Sequence, residues 1–447
     1  MTAPLRIAHV APPLELVPPA GYGGTERIIH ELVTEQIRRG HDVTTFASGD
    51  SAVAGRHVPT VPQALRPAGV RADPSAWFLY TIQCVLDAAR EFDIIHSHLE
   101  WYSSLLARVS PVPIVSTFHG RLDFPWASHL LRGGAGNYVA ISRSQAATHP
   151  EVAWSGVVYN GLTLDDAPFD RRRSDALCFV GRVAPEKGIV DAIAIARDAG
   201  RPLRIAAKIG TQPHEVEYHE QVFLPALAAA GSDVEFLGEL TQADRDALFA
   251  ESYATLMPGS WPEPFGLVAI ESLACGTPVI ARRVGALPEI VRAGKDGYFG
   301  DDLAQMAFMV ERVGLLDRAA MRESVLERFN AGRMADEYEA IYRQVIEAHE
   351  LPAVAGVSRS AAAGAAAGAV ASSTTASVVP LNRHPDATLP APTPLSTAGR
   401  QPAARTAGLR FDAPRTERSW PSRSITRPAR GGREGRPDAT NGARATD

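Results

Sequence analysis

The sequence predicts an α/β protein of two doubly wound, parallel-sheet domains in series, facing each other across a cleft, with a disordered C-terminal tail. Three observations predict this. Short apolar runs alternate with helical patterns in two successive sets, a polar, proline-containing segment from Leu164 to Arg173 separates the sets, and composition changes abruptly after residue 351. A chain of 447 residues also exceeds what one hydrophobic core usually supports. The expected division is an N-terminal domain over 1–165, a second domain over 166–351 and a tail over 352–447.

In the first set, the run Leu5 to Val10 precedes a helix from Thr25 to Arg39, and Val43 to Ala47 precedes a helix from Pro74 to Arg90. The runs Phe92 to His96, Val112 to Phe118 and Tyr138 to Ile141 follow. Strands alternating with helices imply a parallel sheet covered on both faces, a Rossmann-like domain. The second set places strands at Ala176 to Val180, Leu203 to Ala207, Val234 to Phe236, Ala254 to Met257 and Pro278 to Ala281. Helices intervene at Val190 to Ala199, His214 to Ala230, Gln242 to Ala250 and Gly266 to Cys275, and an amphipathic helix from Met334 to Glu350 is the last ordered element. Ligands of open α/β sheets bind outside the carboxyl ends of the strands, so the cleft between the two domains is the expected site.

Residues 352–447 are rich in Ala, Gly, Ser, Thr, Pro and Arg and cannot bury enough apolar area to offset their ordering entropy. They hold thirteen Arg and no Lys against six acids, so a tail of +7 follows a body of -12 in a chain of net charge -5. A solvated tail with at most a weak anionic partner is expected, and no nucleic-acid role. The opening apolar run is too short and interrupted for a signal peptide, and no stretch reaches the ~18 apolar residues of a membrane span. A cytoplasmic location is therefore expected. Cys84, Cys178 and Cys275 are odd in number and widely separated, which reads as reduced core thiols.

The most constraining stretch is Trp-Pro-Glu-Pro-Phe-Gly-Leu-Val-Ala-Ile-Glu, which sets Glu263 and Glu271 eight positions apart. Pro264 denies residue 263 an α conformation, so Glu263 belongs to a loop, with a helix from Gly266 just behind it. The N-H groups at that helix start favour an anion, and a carboxylate beside them accepts hydrogen bonds from hydroxyls. Phosphate plus polyol describes a sugar nucleotide. In Phe-Val-Gly-Arg-Val-Ala-Pro-Glu-Lys-Gly, Arg182 and Lys187 precede a helix opening near Gly188, two cations suited to a diphosphate.

In Ala-Gly-Tyr-Gly-Gly-Thr-Glu-Arg, the glycines at 21, 23 and 24 let backbone N-H groups approach a phosphate or sugar, and Thr25 is placed to cap the next helix. The loop is not the dinucleotide fingerprint, because no Gly-x-Gly-x-x-Gly is present. His119 ends a strand on the same cleft, where it could donate to a sugar hydroxyl or stabilise developing charge. His96 and His98 have a spacing that suits a metal, but no carboxylate or Cys set completes a site. No Asp-x-Asp motif lies on a strand edge, so neither metal nor other cofactor is expected. Trp101, Tyr102 and Trp126 could stack on a sugar ring, and core positions are the favoured reading.

Over about residues 5 to 350, these motifs resemble the retaining glycosyltransferases of family four, whose fold is the two-Rossmann-domain GT-B arrangement. The resemblance implies a nucleotide-diphosphate sugar donor and a carbohydrate, lipid or small-molecule acceptor. It implies that Arg182 and Lys187 grip the donor diphosphate, that Glu271 accepts from ribose hydroxyls and that Glu263 contacts the transferred sugar. Backbone N-H groups around Phe265, Gly266 and Leu267 would serve sugar and phosphate, Gly23 and Gly24 would approach the phosphates from the other domain, and His119 would contact the donor sugar. Ser142 and the pair Asn160-Gly161 match family positions as supports of the cleft, and the first domain's variable loops, including Ser51 to Arg71, would set the acceptor. Two other readings stay open. One is a sugar-nucleotide epimerase or a phosphorylase, the latter resting on Lys295, and the other a non-catalytic binding module recruited by its tail.

Overall fold

In the computed structural model, residues 3–350 are described except 22, 71, 133–135 and 170–173, so the expected tail over 352–447 lies outside the described residues. The first sheet holds β1 (Arg6–Val10), β2 (Asp42–Ser48), β3 (Arg56–Val61), β4 (Ile94–Ser97), β5 (Ile114–Phe118), β6 (Asn137–Ala140) and β7 (Gly156–Val157). Its order is β3-β2-β1-β4-β5-β6-β7, parallel throughout. The second sheet holds β8 (Leu177–Val183), β9 (Leu203–Ile209), β10 (Val234–Gly238), β11 (Thr255–Met257), β12 (Val279–Ala281) and β13 (Gly297–Phe299). Its order, β10-β9-β8-β11-β12-β13, repeats the first, again all parallel. Each sheet therefore reverses direction beside its first strand, and the two reversals are where the carboxyl-end loops diverge to leave a crevice.

β3 lies inside the stretch 51–71 expected to be a variable loop. Its alternation is weak because only Thr60 and Val61 of its six residues are buried, as suits an edge strand.

Four helices matter for the site: α1 (Gly24–Arg38), α2 (Ile189–Asp198), α3 (Gln242–Glu251) and α4 (Leu267–Ala274). A fifth, α5 (Ala331–Glu350), corrects the expected domain division. Met334, Tyr338, Ile341, Tyr342 and Val345 form one buried face, and they share a core with Ile7, Ile29, Leu32 and Val33 of the first domain. Arg39, just beyond α1, reaches Asp336 at 2.5 Å and the Gly332 carbonyl at 2.7 Å. Residues 331–350 belong to the first domain's packing although they follow the second in sequence. Each of those apolar burials is worth about 1.5–3 kcal/mol, and the amphipathic period says that a face is buried without saying against what.

The chain thus passes between the domains twice, before β8 and again ahead of α5. The two passages touch: Leu162 N-H donates to the Phe329 carbonyl at 2.9 Å, and Ala331 N-H donates to the Leu162 carbonyl at 3.2 Å. No helix among the described residues is long and apolar enough to cross a membrane.

Candidate functional site

A cavity of about 540 Å³ lies between the two domains at the carboxyl ends of β1, β4, β5, β8 and β11. Its second-domain wall carries Lys187, Glu263, Phe265, Gly266, Leu267 and Glu271. Gly266 takes φ 109° ahead of α4, a conformation open to glycine at little cost, and this turns the chain so that the first N-H groups of α4 face the cavity.

The paired glutamates are arranged alike. The Lys187 ammonium donates to Glu263 Oε2 at 2.7 Å, and the Trp261 indole N-H donates to the same oxygen at 2.9 Å. Lys187 also lies over the Trp261 ring, 4.2 Å from its centroid. Glu271 is buried on α4, and its Oε1 accepts from Arg27 of α1 and from Arg245 of α3, the latter at 2.8 Å. In both residues one oxygen is held by protein cations or N-H groups. The other oxygen, Oε1 of Glu263 and Oε2 of Glu271, has no protein partner among the described residues and is left for a ligand.

The loop carrying Glu263 is pinned from both sides. Ser142 of the first domain donates its hydroxyl to the Pro264 carbonyl at 2.7 Å, and Ala286 N-H donates to the Glu263 carbonyl at 2.8 Å. Beside Ala286, Gly285 adopts φ +55°, and a Cβ there would lie 2.3 Å from both the backbone N and O of Glu263. We expect Gly285→Ala to cost more than about 1 kcal/mol, read as a lower urea midpoint, with the Glu263 loop displaced.

On the first-domain wall, Gly24 meets α4 directly: a Cβ at Gly24 would sit 3.1 Å from Leu267 Cδ1. Gly23 packs against Pro19 of its own loop and has an extended φ of 169°. Thr25 does not cap α1. The cap position falls on Gly23, with no side-chain cap bond, because the helix begins at Gly24, two residues earlier than a cap at Thr25 would require.

Further along this wall, Glu100 is the one non-glycine described residue with positive φ, at 50°. Its carboxylate accepts from the backbone N-H groups of His119 at 3.0 Å and Gly120 at 3.1 Å, which ties down the loop that carries His119. Burial pushes the carboxyls of Glu100 and of cavity-lining Glu26 up to about 7. Burial lowers His119 to about 3, so its imidazole is neutral at physiological pH.

Arg182 does not line the cavity. Its guanidinium spans Glu186 at 2.8 Å and Glu215 at 2.5 Å, carboxylates that already answer its charge. Trp126 is 45% exposed, against the expected core position, whereas Tyr102 stacks on Phe78 at 4.4 Å and Trp101 packs on Phe118 while bordering the cavity. Asn160 is buried at the cavity edge, and Gly161 lies against the Asn330 backbone, where a Cβ would be 2.2 Å from its carbonyl oxygen.

Arg27, Arg245, Trp261, Glu26 and Glu100 were not singled out in the sequence. Arg27 ends the quoted Gly-Gly-Thr-Glu-Arg run, and its place one helical turn beyond Gly24 was a usable signal. Arg245 has no motif around it.

Residues 168–313 match the family model described as glycosyl transferases group 1, and residues 22–165 match that of glycosyltransferase family 4. Alpha-maltose-1-phosphate synthase of Mycolicibacterium smegmatis is 26% identical over 387 residues, covering 73% of this chain and 97% of that protein. D-inositol 3-phosphate glycosyltransferase of Acidothermus cellulolyticus is 28% identical over 390 residues, covering 72% and 85%. Among solved structures, Anabaena HepE in complex with UDP-glucose matches with a TM-score of 0.60 at 17% identity, over 76% of this chain and all of that one. At that identity the match speaks for the fold, which is the GT-B arrangement.

Proposed function

The chain belongs to the group 1, family 4 glycosyltransferases, and on that premise we propose that it is a retaining enzyme moving a hexosyl unit from a nucleotide-diphosphate sugar to a hydroxyl of a carbohydrate, lipid or small-molecule acceptor. One observation carries the assignment of roles: both glutamates line the same cavity, beside Lys187 and the start of α4, with one carboxylate oxygen held by protein donors and the other without a partner among the described residues. Glu271 Oε2 takes ribose hydroxyls, and Glu263 Oε1 takes hydroxyls of the transferred sugar. Lys187 and the N-H groups from Phe265 to Leu267 face the diphosphate, with Gly23 and Gly24 closing on it from the first domain. Arg182 joins the diphosphate only by exchanging Glu186 for it. The solved relative that holds UDP-glucose supports a donor of this kind.

In the transfer, the bond from the anomeric carbon to the leaving phosphate oxygen breaks while a bond to the acceptor oxygen forms on the same face. The acceptor proton passes to the departing phosphate. Negative charge grows on that phosphate and positive charge on the sugar ring, so fixed cations and helix dipole on one side and the neutral His119 on the other stabilise both. Glu263 is assigned to the sugar's hydroxyls, its Oε2 being held by Lys187 and Trp261.

Basic side chains take the place of a divalent ion in this reading. We expect one of a panel of UDP-, GDP- and ADP-sugars to raise the melting temperature of the protein, and transfer from that donor to survive excess chelator. Complete dependence on Mg²⁺ or Mn²⁺ would overturn the metal-free assignment. A cytoplasmic location suits three cysteines that are all unpaired.

A further inference from the structure

Behind His119 a file of buried polar side chains runs through the first domain. His119 Nε2 lies 2.9 Å from His98 Nδ1, His98 Nε2 lies 3.2 Å from His9 Nδ1, and His9 Nε2 lies 2.8 Å from Gln36 Oε1. His9, His98 and Gln36 are at most 1% exposed. The ring nitrogens of His9, His96 and His98 come within 4.8 Å of one another, close enough to suggest a metal. Each of those six nitrogens already has a protein partner, since His96 is bonded to the Tyr342 hydroxyl at 2.6 Å and to Thr117 at 2.7 Å. The arrangement is a hydrogen-bond file that ends in the cavity.

A neutral imidazole donates from one nitrogen and accepts at the other, so the direction of the whole file follows from its inner end. Gln36 turns its carbonyl oxygen to His9 and its amide N-H toward the Tyr342 hydroxyl at 3.4 Å. His9 therefore carries its proton on Nε2, His98 donates from Nε2 to His9 Nδ1, and His119 donates from Nε2 to His98 Nδ1. We propose that this file is a tautomer lock, in which Gln36, His9 and His98 are positioning residues that present the bare Nδ1 of His119 to the cavity. His119 is then an acceptor for a hydroxyl of the transferred sugar, and its lone pair faces the centre where positive charge develops. This rests on the glycosyl-transfer reading of the cavity, and of the two roles expected of His119, donor to a sugar hydroxyl or stabiliser of developing charge, it favours the second.

The lock is not a proton channel. A proton can enter only at the bare Nδ1 of His119, and passing it inward would flip the His119 tautomer and leave an imidazolium on a buried ring. Burial opposes even that, lowering His119 to about 3 and His9 to about 4, with His96 and His98 also held well below the usual range. The titratable groups around the file are Glu100, bonded to the His119 backbone, Glu26 of α1, and Tyr338 and Tyr342 of α5, both phenols raised by burial.

Nitrogen-15 NMR of the histidine-labelled full chain tests this directly. The expected spectrum has protonated Nε2 and bare Nδ1 at His9, His98 and His119, unchanged from about pH 5.5 to about pH 8. Protonated Nδ1 at His119, or a His119 ring titrating near its ordinary value, overturns the lock. Gln36→Leu removes the directing carbonyl. It should give mixed tautomers at His119 and lower kcat about two- to fivefold in a folded protein, while the acceptor-only Gln36→Glu restores the single tautomer and the rate. Mixed tautomers with an unchanged kcat would overturn the catalytic role. If Gln36→Leu does not fold, the wild-type spectrum alone decides. No transfer from any donor by wild-type protein overturns the reading of the cavity, whereas a wrong tautomer in an active enzyme overturns the lock only.

Discussion

Replacing Lys187 with alanine lowers kcat/KM about a hundredfold, corresponding to about 3 kcal/mol, while the protein stays folded. The two effects separate because the Lys187 and Glu263 side chains are 17% and 16% exposed, part-way into the cavity and not in the core. Losing the lysine leaves Glu263 its bond from Trp261 and access to water, so the cost to stability is only about 1 kcal/mol. Glu263→Ala has the same signature by a different route, since it removes a sugar contact and frees Lys187 from its partner. The two residues form one ion pair, so the double variant loses less than the product of the single losses. Steady-state kinetics with a saturating acceptor, beside a thermal melt, measures both quantities. Normal turnover in either single variant would refute the roles given to the pair.

The second large effect falls on Glu271, and there activity and folding fail together. Its side chain is 5% exposed, between Arg27 at 11% and Arg245 at 13%. Glu271→Ala leaves two mostly buried guanidinium groups without their shared anion, and breaking such a pair costs about 3–5 kcal/mol. The melting temperature should fall clearly, and donor affinity with it, because the oxygen meant for the ribose is gone. Glu271→Gln keeps the shape and one acceptor, so it should recover part of the stability. An Ala variant that melts like wild type would mean that the Arg27 and Arg245 contacts carry no energy. Since Arg27 belongs to the first domain and Glu271 to the second, that result would also remove the buried ionic tie between them.

Much of this site could be read from residues alone, because its local requirements leave local marks. Pro264 forces the Glu263 loop, Gly266 opens α4, His119 follows the end of β5 and Lys187 lies in the turn between β8 and α2, so chain direction placed them all on one cleft. What could not be read is which distant side chain answers which charge. Arg27 is 244 positions from Glu271, and nothing near Arg245 marks it as a partner. Arg182 shows the mirrored case: Glu186 and Glu215 both bind it, and the strand pattern does not show a carboxylate converging on it from 33 positions on. The histidine file was hidden because His9 and His96 interrupt otherwise apolar strands as though they were ordinary core positions.

The two passages of backbone between the domains, bonded to each other through Leu162, have a mechanical consequence. A pair of parallel straps fastened side by side bends easily about the line that joins them and resists torsion, since twisting would shear the bonds that couple them. Bending about that line is the movement that would change the separation of Arg27 and His119 from Glu271 and Lys187. Gaping is thus the deformation that two coupled straps oppose least, and sliding out of register the one they oppose most.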